Sequence, residues 1–105
     1  AYSFGAWAGL EAVRCGLRPE GVALVSPPVT FMDFGSLKLP EAPCLVVAGD
    51  GDGYCSLADL DRWLERQPDP TEPLEKVVLA GTDHFYWGKE EALAETLARF
   101  FGTLG

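Results

Sequence analysis

The chain has 105 residues, of which 48% are hydrophobic and 23% are charged, and its formal net charge is -8 at pH 7. This length and composition predict one soluble globular domain spanning residues 1–105. The acidic balance and the scattered basic residues argue against nucleic-acid binding, and no apolar run approaches the roughly 20 residues that cross a bilayer, so we expect no membrane partner.

The first part of the chain predicts a helix followed by a buried strand. Residues 4–15 are rich in alanine and apolar on nearly every side, which is typical of a helix that is covered on more than one face. Residues 22–25 form a short apolar run typical of a strand buried on both faces. The prolines of residues 26–28 end this strand because proline cannot donate to a ladder. An irregular loop is predicted for residues 29–41.

The middle of the chain predicts a second strand and a second helix. Residues 43–48 form another buried apolar run, which the Gly-Asp-Gly-Asp-Gly segment of residues 49–53 closes. Ser56 and Asp59 form a variant of the capping box, so a helix is expected from there through Leu64. The proline-rich residues 67–73 predict a connection that no helix crosses.

The last part predicts a third strand and a third helix. Residues 76–80 form the strand and residues 89–101 form the helix, whose acidic first turn and basic last turn suit the helix dipole. This alternation of elements predicts parallel strands joined by right-handed crossovers. The expected fold class is therefore α/β, a three-layer α/β/α arrangement whose middle layer is a parallel sheet.

The three cysteines predict neither a disulfide framework nor a zinc site. Cys15, Cys44 and Cys55 are odd in number and lack C-x-x-C spacing. We expect reduced, buried thiols and a cytoplasmic protein.

Side chains of three chemical types are predicted at one edge of the sheet. Ser3 fits the nucleophile-elbow pattern G-x-S-x-G, except that Ala1 stands at the first glycine, although a serine beside a glycine is also common in ordinary turns. Asp52 and His84 each follow a predicted strand. Because functional groups gather beyond the carboxyl ends of parallel strands, we expect Ser3, Asp52 and His84 to converge there.

These residue types match the needs of nucleophilic catalysis. A serine hydroxyl needs an imidazole to take its proton, and a carboxylate behind the imidazole fixes its tautomer. His84 is the only histidine in the chain, so the base has one candidate unless this histidine is structural. Asp50 and Asp83 compete with Asp52 for the acid.

The acidic segment of residues 49–53 suggests two other ligands, which we set aside. Its carboxylates would repel a phosphate, and no G-K-[ST] follows. Asp50, Asp52, Ser56 and Asp61 match calcium-loop positions one, three, seven and twelve, but Cys55 replaces the glycine of position six and position twelve is not glutamate. No metal is expected.

Four short motifs together resemble a known superfamily. They are Tyr-Ser-Phe-Gly at residues 2–5, Ser-Pro-Pro-Val at 26–29, Gly-Asp-Gly-Asp at 49–52 and Gly-Thr-Asp-His-Phe-Tyr at 81–86. Their order resembles the C-terminal portion of an α/β-hydrolase, close to small bacterial predicted hydrolases of the dienelactone-hydrolase-like kind. The resemblance covers essentially the whole chain, and the order Ser, Asp, His is the one this superfamily uses.

The resemblance implies a fold, an activity and a set of site residues. It implies the C-terminal half of an α/β-hydrolase fold and a serine hydrolase that cleaves an ester or related acyl substrate, esterase-like and without a cofactor. Ser3 would be the nucleophile, His84 the general base and Asp52 the orienting acid, since Asp52 matches the position of the superfamily's acid. The backbone N–H of Phe4 would donate to the oxyanion.

An apolar pocket is also predicted, although aromatic side chains in a loop can equally serve only for packing. The candidates for its walls are Phe31, Met32, Phe34 and Trp87.

The resemblance also implies that part of the catalytic domain is missing. The strand leading to Ser3 and the second oxyanion donor would lie upstream of Ala1, so nothing obvious holds the elbow. We therefore expect a fragment of a protein about twice as long, which is weakly active or inactive alone and whose exposed sheet edge could self-associate. The alternative is a non-catalytic α/β module that binds a partner through this edge.

Overall fold

The strands and helices of the protein follow the predicted order. The structure is a computed structural model that describes residues 1–69 and 72–104. Its elements are α1 (Phe4–Arg14), β1 (Val22–Val25), β2 (Cys44–Gly49), α2 (Leu57–Glu65), β3 (Leu74–Leu79) and α3 (Glu90–Gly102). The predicted connection over residues 67–73 includes Pro70 and Thr71, which lie outside the described residues.

The three strands form one parallel sheet in the order β1-β2-β3. Val22 pairs with Cys44, and Cys44 pairs with Leu74 on the other side. Every residue of β2 is buried, because this strand has a neighbour on each side and side chains packed on each face. This position explains its uninterrupted apolar sequence.

Helices cover both faces of the sheet, which confirms the predicted α/β fold with three layers. On one face, Leu24 and Val46 pack with α1, α2 and the loop that follows β1. On the other face, Leu45 and Val47 pack against Phe100 of α3. The two apolar clusters alternate along β2, as the side chains of a strand must.

The loop from β1 to β2 contains no helix and contributes to the core directly. Phe34 and Leu37 are buried, and Trp63 of α2 donates its indole N–H to the carbonyl of Phe34 at 3.0 Å. The ring of Phe34 lies edge-on to that of Trp63 at 5.4 Å. These contacts make the loop part of the apolar core between β1 and α2.

Two predictions about exposure are corrected. Within the described residues, α1 is covered on one side: Ala6 and Leu10 are buried, whereas Phe4 and Ala8 are exposed. Cys15 is exposed as well, because it follows the last turn of this helix. None of the helices in residues 1–69 and 72–104 combines the length and apolar character needed to cross a bilayer.

The other two cysteines are buried, as predicted. Burial raises the pKa of the Cys44 thiol to about 11. Burial, with a smaller effect from the carboxylates of Asp52 and Asp59, raises the pKa of Cys55 to about 12. Both side chains therefore remain neutral thiols at pH 7 and act as small apolar groups.

Candidate active site

Ser3 occupies a strained turn at the start of α1. Its φ of 56° and ψ of -124° are unusual for a residue with a side chain. Two backbone hydrogen bonds close this turn on the helix side. The N–H of Gly5 donates to the carbonyl of Tyr2 at 2.9 Å, and the N–H of Ala6 donates to the carbonyl of Ser3 at 2.8 Å. Strain of this kind collects at functional sites, where the surrounding structure holds it in place.

The segment before Ser3 is held by the free edge of β1, which corrects the expectation that nothing in the chain holds the elbow. The N-terminal amine of Ala1 donates to the carbonyl of Ala23 at 2.7 Å. The N–H of Val25 donates to the carbonyl of Ala1 at 2.8 Å, and the N–H of Ser3 donates to the carbonyl of Val25 at 2.9 Å. Residues 1–3 thus run parallel to β1 and turn into α1 at Ser3.

Asp52 lies in the turn that follows β2, with its carboxylate completely buried. Its Oδ1 accepts hydrogen bonds from the backbone N–H groups of Tyr54 at 2.8 Å and Cys55 at 3.2 Å. These two donors fix the plane of the carboxylate, whose two oxygens both face Nδ1 of His84, Oδ2 at 2.9 Å and Oδ1 at 3.1 Å.

His84 lies in the loop after β3 and connects the other two side chains. Its Nδ1 is 2.9 Å from Oδ2 of Asp52, and its Nε2 is 2.7 Å from Oγ of Ser3. Since the carboxylate can only accept at Nδ1, we assign the proton to Nδ1 and the lone pair to Nε2. The structure thus brings the three side chains together at the carboxyl edge of the sheet.

The competing aspartates make other contacts. Asp83 accepts from the backbone N–H of Phe85 at 3.0 Å, which closes its own turn. Asp50 faces the N–H of Thr82 at 3.4 Å. Of the three aspartates considered for the acid, Asp52 is therefore the one whose carboxylate contacts the imidazole of His84. Their spacing in the sequence alone did not distinguish them.

The residues of the calcium pattern also separate in space. Asp61 pairs with Lys76, and Ser56 caps α2 by accepting from the N–H of Asp59. Within residues 1–69 and 72–104, no group of three histidine, cysteine, aspartate or glutamate side chains is placed to hold a metal ion.

The backbone N–H of Phe4 lies next to Ser3 and is the first of α1. The first N–H groups of a helix have no partner within the helix and lie at its positive end. Because the N–H groups of Gly5 and Ala6 are used within the turn, the N–H of Phe4 is the one left to receive negative charge beside Ser3.

Aromatic side chains around His84 were not identified from the sequence. Tyr2 donates its hydroxyl to the carbonyl of His84 at 2.5 Å, and the ring of Tyr54 lies 4.6 Å from the imidazole. Burial raises the pKa of Tyr2, with smaller effects from Asp52 and Asp83, so its hydroxyl remains a donor. The only sequence signal for these two tyrosines is that they lie near Ser3 and Asp52 in the chain.

A buried hydrogen bond below the site joins two further residues with positive φ. Ser26 at the end of β1 has a φ of 48°, and Tyr86 has a φ of 59°. Their hydroxyl groups lie 2.6 Å apart, and burial raises the pKa of Tyr86 to about 12. This bond ties the end of β1 to the loop that carries His84.

A groove with a volume of about 270 Å³ opens beside Ser3 and His84. It contains Phe31 and Met32, two of the four predicted pocket residues, together with Phe4, Pro28, Tyr54 and Phe85. Phe34 does not line this groove because it is packed in the core, and Trp87 is 75% exposed outside it. The pocket prediction is therefore corrected at Phe34 and Trp87.

One prediction concerns the contact that places the loop of His84. A Cβ added to Gly49 at the end of β2 would overlap the backbone carbonyl of Thr82, with the carbonyl carbon only 2.9 Å away. We expect Gly49→Ala to destabilise the fold by about 1–3 kcal/mol, because the backbone of this loop must shift. Urea unfolding measures the change. Gly53→Ala is the matched control, since nothing lies within 4 Å of its added Cβ, and an equal effect of both substitutions would contradict the prediction.

Comparison with known proteins supports the predicted resemblance. No family model matches the chain. An uncharacterized protein of Rickettsia prowazekii (strain Madrid E) is 27% identical over 110 residues, which cover 98% of this chain and 45% of that protein. The chain thus spans about half the length of the curated relative that it matches.

The chain also spans about half the length of the solved structures that it matches. An α/β serine hydrolase homologue from Coxiella burnetii is 30% identical, with a TM-score of 0.79 over 93% of this chain and 45% of its own. An α/β serine hydrolase without a lid from Xanthomonas campestris is 28% identical, with a TM-score of 0.79 over 94% and 43%. A putative α/β hydrolase from Agrobacterium tumefaciens is 25% identical, with a TM-score of 0.86 over 96% and 47%. In fold and sequence, the chain is therefore similar to about half the length of each of these α/β hydrolases.

Proposed function

We propose that the protein is a serine hydrolase that cleaves an ester or related acyl substrate through an acyl-enzyme intermediate. The observation that carries the proposal is the continuous line of hydrogen bonds from Ser3 Oγ through the imidazole of His84 to the carboxylate of Asp52. The strained turn at Ser3 and the similarity to α/β hydrolases support it.

In the first half of the proposed reaction, Ser3 is acylated. Nε2 of His84 takes the hydroxyl proton as Oγ of Ser3 attacks the carbonyl carbon of the substrate. Asp52 stabilises the imidazolium, and the N–H of Phe4 donates to the oxyanion. Collapse of the tetrahedral intermediate breaks the bond to the alcohol, which leaves with the proton from His84.

In the second half, water releases the acyl group. Nε2 of His84 takes a proton from water as the water oxygen attacks the acyl carbon. The carboxylic acid departs, and Oγ of Ser3 recovers its proton from the imidazolium. The bonds and protons balance with water as the only co-substrate.

Labelling with a fluorophosphonate tests this proposal directly. We expect the probe to modify one residue of the folded protein, Ser3, because its oxygen is the one activated by a histidine. Mass spectrometry of the digested protein identifies the site. Protein unfolded in urea before the probe is added serves as the control and should not react. Modification elsewhere, or none at any probe concentration, would rule out Ser3 as the nucleophile.

The alternative from a different class is a non-catalytic module that binds a partner. Under that alternative, the hydrogen bonds of Ser3 and His84 only stabilise the loops, and the probe leaves the folded protein unmodified. The strain at Ser3 favours the enzyme, since a turn with no chemical task could use glycine at a φ of 56° without steric strain.

A further inference from the structure

Aromatic rings from two different loops form one wall of the groove beside Ser3. Phe31 and Tyr54 meet edge to face, with ring centroids 5.5 Å apart and planes at 77°. Tyr54 in turn lies against the imidazole of His84, with centroids 4.6 Å apart. Phe31 is 74% exposed, so its ring borders the groove and is not part of the core. We call Phe31 and Tyr54 the aromatic wall.

A hydrogen-bond cluster centred on Thr30 holds the two halves of the aromatic wall together. The N–H of Thr30 donates to the carbonyl of Tyr54 at 3.1 Å. The hydroxyl of Thr30 accepts from the N–H of Ser56 at 2.9 Å and donates to Oδ2 of Asp59 at 2.7 Å. This hydroxyl is the largest of the influences that lower the pKa of Asp59. The loop after β1 is therefore tied to the loop after β2 at the point where their rings meet.

The aromatic wall is also tied to the proposed catalytic acid. Oδ1 of Asp52 accepts from the N–H of Tyr54, so one turn places both the acid and the second ring. Phe31 follows Thr30 directly in the chain. A ligand that contacts the wall does not have to order it, which reduces the entropy that binding costs.

The lining of the groove favours an uncharged ligand. Its eight lining residues in the described chain include no lysine, arginine, aspartate or glutamate. An anionic substrate would find no cationic partner there, and the net charge of -8 would repel it. Aromatic rings arranged edge to face offer a neutral ring both an edge and a face. The groove volume of about 270 Å³ exceeds the roughly 150 Å³ that suffices for benzene in an apolar cavity.

We propose that the aromatic wall is a specificity site for a neutral aryl group of the substrate, placed next to the scissile carbonyl. The inference rests on the proposed hydrolase function and extends it from esters in general to uncharged esters that carry an aromatic ring. Phe31 and Tyr54 would contact the ring, and Thr30 would act as a positioning residue by keeping the two rings together.

Matched esters test the proposal on the whole protein. Ethyl phenylacetate and ethyl cyclohexylacetate differ in the aromaticity of a ring of similar size on the acyl side, and benzyl acetate and cyclohexylmethyl acetate repeat the comparison on the alcohol side. Release of acid measures kcat/KM for each. We expect the ester with the aromatic ring to be favoured in at least one pair, and the pair that shows the preference identifies which side of the ester the wall binds.

Substitutions in the aromatic wall test whether the wall causes the preference for the aromatic ring. Phe31→Leu and Tyr54→Leu should each reduce the aryl-to-cyclohexyl ratio by about threefold to tenfold, because they keep an apolar side chain but remove a ring. Thr30→Val should reduce the same ratio, because it removes the hydroxyl and keeps the shape. The matched control is Phe101→Leu, which changes an exposed phenylalanine of α3 outside the groove and should leave the ratio as it is. Ratios near one in the parent protein, or an unchanged ratio in Phe31→Leu and Tyr54→Leu, would overturn the proposal.

A binding measurement separates this inference from the proposed catalysis. In Ser3→Ala, isothermal titration calorimetry with the same esters measures binding without turnover, and the ester with the aromatic ring should bind at least threefold more tightly than its cyclohexyl partner. Failure of the fluorophosphonate to label Ser3 would count against the hydrolase alone. Labelling of Ser3 together with equal binding of the two partners would count against the aromatic wall alone.

Discussion

Replacing Ser3 by alanine is expected to lower kcat by roughly 10⁴- to 10⁶-fold in the whole protein. The substitution removes the oxygen that lies 2.7 Å from Nε2 of His84. What remains is a groove, an imidazole and the N–H of Phe4, which can bind the substrate and polarise its carbonyl but cannot form an acyl-enzyme. Initial rates of ester hydrolysis at saturating substrate measure the loss.

This variant should keep its fold, which makes the comparison informative. Alanine and serine meet the same steric difficulty at a φ of 56°, so the turn is no more strained than before. Thermal unfolding checks this point. Ser36→Ala provides a matched control, because Ser36 is exposed in the loop before β2 and should show the parent rate. Retention of more than a tenth of the parent kcat by Ser3→Ala would show that another group performs the attack.

The fold was predictable where burial alone dictates the sequence. A strand with neighbours on both sides has to be apolar throughout, and the apolar run of residues 43–48 predicted β2 to within one residue at each end. Ser56 likewise marked the start of α2, because an N-cap depends on groups within one turn and its side chain accepts from Asp59 as expected. Such local rules require no knowledge of the rest of the molecule.

Burial in the loops was not predictable in this way. Phe34 and Phe31 lie three positions apart in a segment without periodicity, yet one is in the core and the other borders the groove. The difference is set by Trp63, whose indole binds the carbonyl of Phe34 from a helix far along the chain. No local pattern contains that contact. The exposed side of α1 was missed for a similar reason, since composition shows that a face is apolar but not whether anything covers it.

In the candidate site, too, some features were predictable from the sequence and others depend on contacts between distant segments. The convergence of Ser3, Asp52 and His84 followed from one topological rule, that the carboxyl ends of parallel strands share an edge. The residues that fix their orientation, Tyr2 and Tyr54, depend on how separate loops meet, which a single sequence does not reveal. The sequence therefore predicted which groups meet, while the structure showed what holds them in place.

The second large effect is expected for Asp52→Asn, which should lower kcat by about 10⁴-fold. Oδ1 of Asp52 accepts from the N–H groups of Tyr54 and Cys55, so the oxygen of the new amide has to stay at that position. The amide NH₂ then takes the place of Oδ2, 2.9 Å from Nδ1 of His84. Oδ1 lies farther from Nδ1, at 3.1 Å, and already accepts two backbone N–H groups. Because the shorter contact then faces a donor, we expect Nδ1 to become the acceptor and the proton to move to Nε2. An imidazole with its proton on Nε2 cannot take the proton of Ser3.

The same contacts predict that Asp52→Asn remains folded, since both backbone N–H groups keep their acceptor. A melting temperature close to that of the parent, together with the loss of kcat, would separate a tautomer defect from an unfolded loop. Asp83→Asn is the matched control, because Asp83 closes its own turn through the N–H of Phe85 and should retain kcat within about threefold. An equal loss in both variants would mean that negative charge near His84, rather than the hydrogen bond from Nδ1 to Asp52, governs the rate. Only a loss confined to Asp52→Asn assigns the orientation of the imidazole to that bond.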